Sequence, residues 1–185
     1  MEVILASKSP RRLQLLQCAG FTVKVMPSHI DETPLSGETV PDMVMRLCRI
    51  KAQACPIEHR PIIAADTLVS LHGEALGQPE DLAHAKSMLQ QLSGQQQSVL
   101  TAVCVRLGEH IISRTVTTKL QFRALTEAEI DRYLIHNDVL DKAGAYAIQA
   151  GAASFITHVD GALDNVMGLP IKTTCQMLEE LERLG

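Results

Sequence analysis

The sequence predicts an α/β protein built on a mixed sheet. Three observations carry this: short apolar strand-like runs alternate with stretches of helical apolar spacing, two long runs flank Gly108 and Glu109 as a hairpin, and several helices carry local start or stop signals. In chain order, residues 2–6 read as a short buried strand. Ser9 and Pro10 then supply an N-cap and first helical residue for a helix closing at Gly20. Residues 22–26 form a second strand, and the polar, Pro-containing stretch 27–39 is a loop. Val40 to Cys55 is a helix with Val40, Met43, Val44, Leu47 and Cys48 on its apolar stripe. Residues 61–71 are the most apolar strand, interrupted by Asp66 and followed by a turn at His72 and Gly73. A helix spans about 81–92 and stops at Ser93 and Gly94. The hairpin strands cover 98–107 and 111–122, and Thr126 with Glu129 makes a capping box for a helix reaching about His136. Residues 154–159 are the last strand, 161–170 a loop, and 170–184 the last helix.

Composition narrows the function. The chain has 185 residues, 46% hydrophobic and 21% charged, with 17 Lys plus Arg against 21 Asp plus Glu and a net charge of -4. This is one domain of ordinary globular make-up, long enough to bury roughly 70% of its unfolded surface without a disulfide or structural metal. An acidic balance argues against nucleic acid or an anionic membrane as partner, so any anion site must be local. The scarcity of aromatics, 3% with no Trp, leaves few rings on which bases could stack. Five scattered cysteines without a CxxC pair support neither a zinc site nor a disulfide framework. The N-terminal arginines follow the apolar stretch, the reverse of a signal peptide, and a cytoplasmic protein is expected. No HExxH, GxSxG or Walker loop is present.

Several residues need a reason. Arg11 and Arg12 fall in the first turn of a helix, where the macrodipole disfavours cations by about 0.3–1 kcal/mol each. With Ser7, Ser9 and free amides they read either as an anion pocket or as an exposed basic turn. Lys51 lies about 20° from Val40 and about 40° from Leu47 around its helix, in the middle of the apolar stripe. It either snorkels past the helix end or enters a polar pocket at the edge of the core. Asp66 must meet a metal, a cation or water unless it merely caps a strand end, since the carboxyl ends of strands border the ligand crevice of open α/β sheets. Asp31 and Glu32 read as solvent-facing acids or as partners in a magnesium site. The Ala- and Gly-rich stretch around Lys142, Tyr146 and Gln149 lets backbone approach a ligand or another segment closely.

Taken in order, LASKSPRR, DET, RIKA, AADT, LDKAGAYAIQ and NVMGLP resemble the Maf family of nucleoside triphosphate pyrophosphatases, from Leu5 to Pro170. The resemblance implies an elongated mixed sheet flanked by helices with a central cleft, similar to inosine triphosphate pyrophosphatases, and often a homodimer. It implies phosphate binding by Ser7, Arg11, Arg12 and Lys51, a divalent metal (Mg²⁺, with Mn²⁺ or Co²⁺ as alternatives) held by Glu32 and Asp66, and Asp66 as catalytic proton acceptor. Arg11, Thr67 and Gln149 together look like the branch acting on dTTP and UTP rather than 7-methyl-GTP, and a Gln amide suits a thymine or uracil edge. The implied reaction is hydrolysis between the α and β phosphates. One departure stands out: the family's usual GKP segment reads GQP here, with Gln78 in place of a phosphate-binding cation. A nucleotide-binding regulator with little or no turnover is the alternative that this substitution suggests.

Overall fold

The computed structural model describes residues 1–56 and 59–184. Among them, strands β1 (Glu2–Leu5), β2 (Thr22–Val25), β3 (Ile62–Leu71), β4 (Glu74–Leu76), β5 (Gln96–Leu107), β6 (His110–Phe122) and β7 (Ile156–Asp160) form one mixed sheet, ordered β2-β1-β3-β5-β6-β7 with β4 also on β3. β1 is parallel to β2 and β3, and the remaining pairs are antiparallel. The helices are α1 (Pro10–Cys18), α2 (Val40–Ala54), α3 (Leu82–Leu92), α4 (Glu127–His136), α5 (Leu163–Val166) and α6 (Ile171–Glu182).

Local chemistry explains most helix starts. Ser9, Thr39, Asp81 and Thr126 each accept a bond from a first-turn amide, and Thr126 and Glu129 complete the capping box. The far end of α2 is closed by a residue distant in sequence. Arg106 Nη1, from β5, donates to the carbonyls of Ala52, Gln53 and Cys55 at 3.2, 3.4 and 3.1 Å, satisfying acceptors that the helix leaves open.

The site sits where the sheet is incomplete. β5 pairs with one edge of β3 from Ile62 to Ser70. On the other edge β1 pairs only with Ile62 and Ile63, and β4 only from Val69 onward. Between them no strand among the described residues pairs with this edge of β3, and Asp66 and Thr67 stand in that gap. Asp66 is therefore not at a strand end, as the sequence suggests, because β3 runs five residues beyond it to Leu71. Strand alternation sends Asp66 to the face with Ala64 and Leu68, which packs on α2, and Thr67 to the face with Ile63 and Ala65, which packs on α6. A third apolar cluster joins α3 and α4 to the far half of the sheet, with Phe122 meeting Tyr146 and Phe155 edge to face.

Other boundaries differ from expectation where small residues obscure periodicity. The Ala- and Gly-rich stretch folds into 3₁₀ turns at Ala143–Ala145, Ile148–Ala150 and Ala152–Phe155, so β7 begins at Ile156 rather than at 154. The segment before α6 holds the one-turn helix α5, and β4 was hidden by its three-residue length. No helix among the described residues is long and apolar enough to cross a membrane.

Candidate active site

A cleft of about 690 Å³ opens over the gap in β3. Its lining includes Ser7, Arg11, Arg12, Glu32, Lys51, Asp66, Thr67 and Gln149, so the fold assembles every site residue expected from the sequence. They arrive from the β1–α1 turn, the first turn of α1, the β2–α2 loop, α2, β3 and the 3₁₀ segment. Gln78 lines the same cleft, donating from Nε2 to the Asp141 carbonyl at 3.2 Å.

On the α2 face, Lys51 resolves its two readings in favour of the polar pocket. It is 9% exposed, and its Nζ lies 2.5 Å from Asp66 Oδ1 and 2.9 Å from Glu32 Oε1. Asp66 is 6% exposed. Burial pushes its carboxyl above the ordinary range, while Lys51 first and then Arg12 pull it back. Asp31, by contrast, turns away to bond Thr33.

On the opposite face, Arg12 is held by three acceptors. Nε donates to the Gly168 carbonyl at 2.8 Å, Nη1 to Ser7 Oγ at 3.0 Å and Nη2 to Thr67 Oγ1 at 3.1 Å. Burial lowers its pKa, opposed chiefly by Asp66, yet it stays a cation at any physiological pH. Ser7 Oγ accepts from Arg12 and from the amide of Ser9, which leaves its own proton to give. Arg11 faces the cleft with no hydrogen bond or ion pair to another described residue. These are the elements of an anion pocket: two guanidinium groups, a hydroxyl with a free proton and a helix N-terminus. In the cleft walls the hydroxyls of Ser28 and Tyr146 are buried without a hydrogen-bond partner among the described residues.

The Maf-like protein family model matches residues 2–181. The chain belongs to the Maf-like family. Among similar Maf-like relatives, one from Anaeromyxobacter dehalogenans is 44% identical over 180 residues, covering 95% of this chain and 92% of its own. One from Geobacter sulfurreducens is 43% identical over 187 residues, covering 99% and 96%. One from Chromobacterium violaceum is 40% identical over 185 residues, covering 96% and 93%. Each is named dTTP/UTP pyrophosphatase. The solved structure of the Staphylococcus aureus Ham1 protein overlaps 66% of this chain and 72% of its own at 14% identity and a TM-score of 0.47.

Sequence reasoning missed the residues behind this Maf-like cleft. Gly168 holds Arg12, Thr101 holds its partner Thr67, Asn165 in turn holds Thr101, and Arg106 anchors the helix that carries Lys51. NVMGLP marked the neighbourhood of Gly168 and Asn165, whereas Thr101 and Arg106 carry no local signal.

Among the described residues, no three His, Cys, Asp or Glu side chains form a ready-made metal cluster. Two carboxylates nevertheless meet at one point. Glu32 and Asp66 both bond the Lys51 ammonium, so a cation already stands between two hard oxygen donors. That donor set fits Mg²⁺, which takes one or two carboxylates and completes its shell with water and phosphate oxygens.

Proposed function

We propose that this protein hydrolyses dTTP and UTP to the monophosphate and pyrophosphate with the help of a divalent cation. The observation that carries the reading is the juxtaposition, across one gap in β3, of a buried carboxylate paired to Lys51 with an anion pocket built on Arg12 and Ser7. The names of the relatives support the nucleotide assignment.

In this reading the triphosphate lies over the N-terminus of α1, with Ser7 donating its free proton to a phosphate oxygen and Arg11 and Arg12 countering the charge that builds up there. Lys51 leaves its carboxylate partners to reach the same phosphates. Asp66 accepts a proton from water as the water oxygen bonds to phosphorus and the α–β bridging bond breaks, the electron pair leaving with the departing phosphate group. Glu32 and Asp66 would hold the metal, which when bound polarises the phosphate and lowers the cost of attack. Gln149, exposed at the cleft, is the base-reading side chain.

The test is pyrophosphate release from dTTP, UTP, CTP, ATP and GTP with Mg²⁺, Mn²⁺ or Co²⁺. The highest kcat/KM is expected for dTTP and UTP, and equal values across the panel overturn the pyrimidine assignment. Gln78 favours a second reading, a nucleotide-binding regulator, which requires nucleotide binding by calorimetry with no pyrophosphate formed under any metal.

A further inference from the structure

Thr101, in β5, is wholly buried and is not part of the cleft lining. Its one hydroxyl proton goes to the Asn165 carbonyl at 2.9 Å. In its 2.9 Å contact with Thr67 it can therefore only accept. Thr67 consequently spends its proton on Thr101 and presents lone pairs to Arg12 Nη2, which donates at 3.1 Å. Every proton in this chain of bonds has a fixed direction.

The chain is anchored at its far end. Asn165 is completely buried, and its Nδ2 donates to the Val99 carbonyl and to Thr118 Oγ1, both at 3.0 Å. Three residues later the Gly168 carbonyl takes Arg12 Nε directly. Residues 165–168 thus hold the guanidinium twice, once through Gly168 and once through Asn165, Thr101 and Thr67. Were Thr101 unable to accept, Thr67 could turn its proton toward Arg12, setting donor against donor.

We infer that Thr101 is a positioning residue that orients the Thr67 hydroxyl as an acceptor and thereby fixes Arg12 for phosphate binding, an inference that rests on the phosphate-binding reading of Arg12. A consequence concerns base choice: with its proton already committed, Thr67 can contact substrate only as an acceptor.

The experiment measures kcat/KM for dTTP in wild type, Thr101→Val, Thr101→Ser, Arg12→Ala and Arg12→Ala/Thr101→Val. Thr101→Val is expected to lower kcat/KM about tenfold, Thr101→Ser to restore it to within about twofold, and the valine to have almost no effect once Arg12 is gone, because coupled residues are not additive. An equal loss in both Arg12 backgrounds, or no loss in either, overturns the inference. Thermal melts verify folding; if Thr101→Val does not fold, Thr67→Val cuts the same chain and is read in its place, with and without Arg12→Ala. A ¹⁵N spectrum of the Arg12 Nε–H without nucleotide gives an independent readout: a sharp, slowly exchanging signal is expected in wild type and a broadened one in Thr101→Val, and an unchanged signal counts against the inference. If wild type hydrolyses no nucleotide, the functional reading fails by itself and this spectrum still decides the role of Thr101.

Discussion

The Lys51 ammonium and the Asp66 carboxylate meet at 2.5 Å although both residues are buried. A buried ion pair is a doubtful source of stability, since desolvation offsets much of the attraction. Its position in the cleft, with Glu32 on the same nitrogen, makes it chemical apparatus in the proposed reaction.

Asp66→Asn should fold normally and lose turnover by about 10²–10⁴-fold, the usual contribution of a general base. Steady-state pyrophosphate release, with circular dichroism as the folding control, checks this. Near-native activity would remove Asp66 from the role.

Replacing Lys51 by Met should move a pH profile as well as reduce the rate. Burial raises the Asp66 pKa and Lys51 is the largest influence lowering it, so without the ammonium the value rises further. Because Asp66 must be ionised to take a proton, the acid limb of kcat/KM should shift to higher pH. An acid limb that stays in place would mean that another group governs it.

Gly168→Ala tests the seat of Arg12. Gly168 has φ of 104°, where a side chain costs of order 1–3 kcal/mol, and an added Cβ would stand 3.3 Å from Arg12 Nε and 3.4 Å from Thr67 Oγ1. A lower melting temperature is expected, together with at least a tenfold drop in kcat/KM as the guanidinium is displaced. A variant destabilised yet unimpaired per folded molecule would show that Arg12 needs no fixed seat.

Gln78→Lys places a cation on the cleft wall, where a charge-assisted bond to phosphate is about twice as strong as a neutral one, so kcat/KM should rise about fivefold. Part of the gain should be in kcat, since charge grows on the phosphate oxygens during the reaction. No gain in a folded variant would mean that residue 78 does not reach the phosphates, which a nucleotide-bound crystal structure would show directly.

What the sequence alone determined is what neighbouring residues decide among themselves. The caps at Ser9 and Thr126 act within three residues, and helical winding alone puts Lys51 on the apolar stripe of α2, so these features were legible without coordinates. Asp66 was conspicuous for a similar reason, as a charge inside an apolar strand, although its mid-strand place was not, because nothing local tells a strand to continue. The tertiary structure decided what meets what. It left one edge of β3 without a strand between β1 and β4 among the described residues, put adjacent Asp66 and Thr67 on opposite faces, and brought Gly168 and Thr101 from 156 residues beyond Arg12 and 34 beyond Thr67. Hydrogen bonds between residues so far apart leave no periodicity in the chain; they exist only because sheet order and strand register bring those particular atoms within reach of one another.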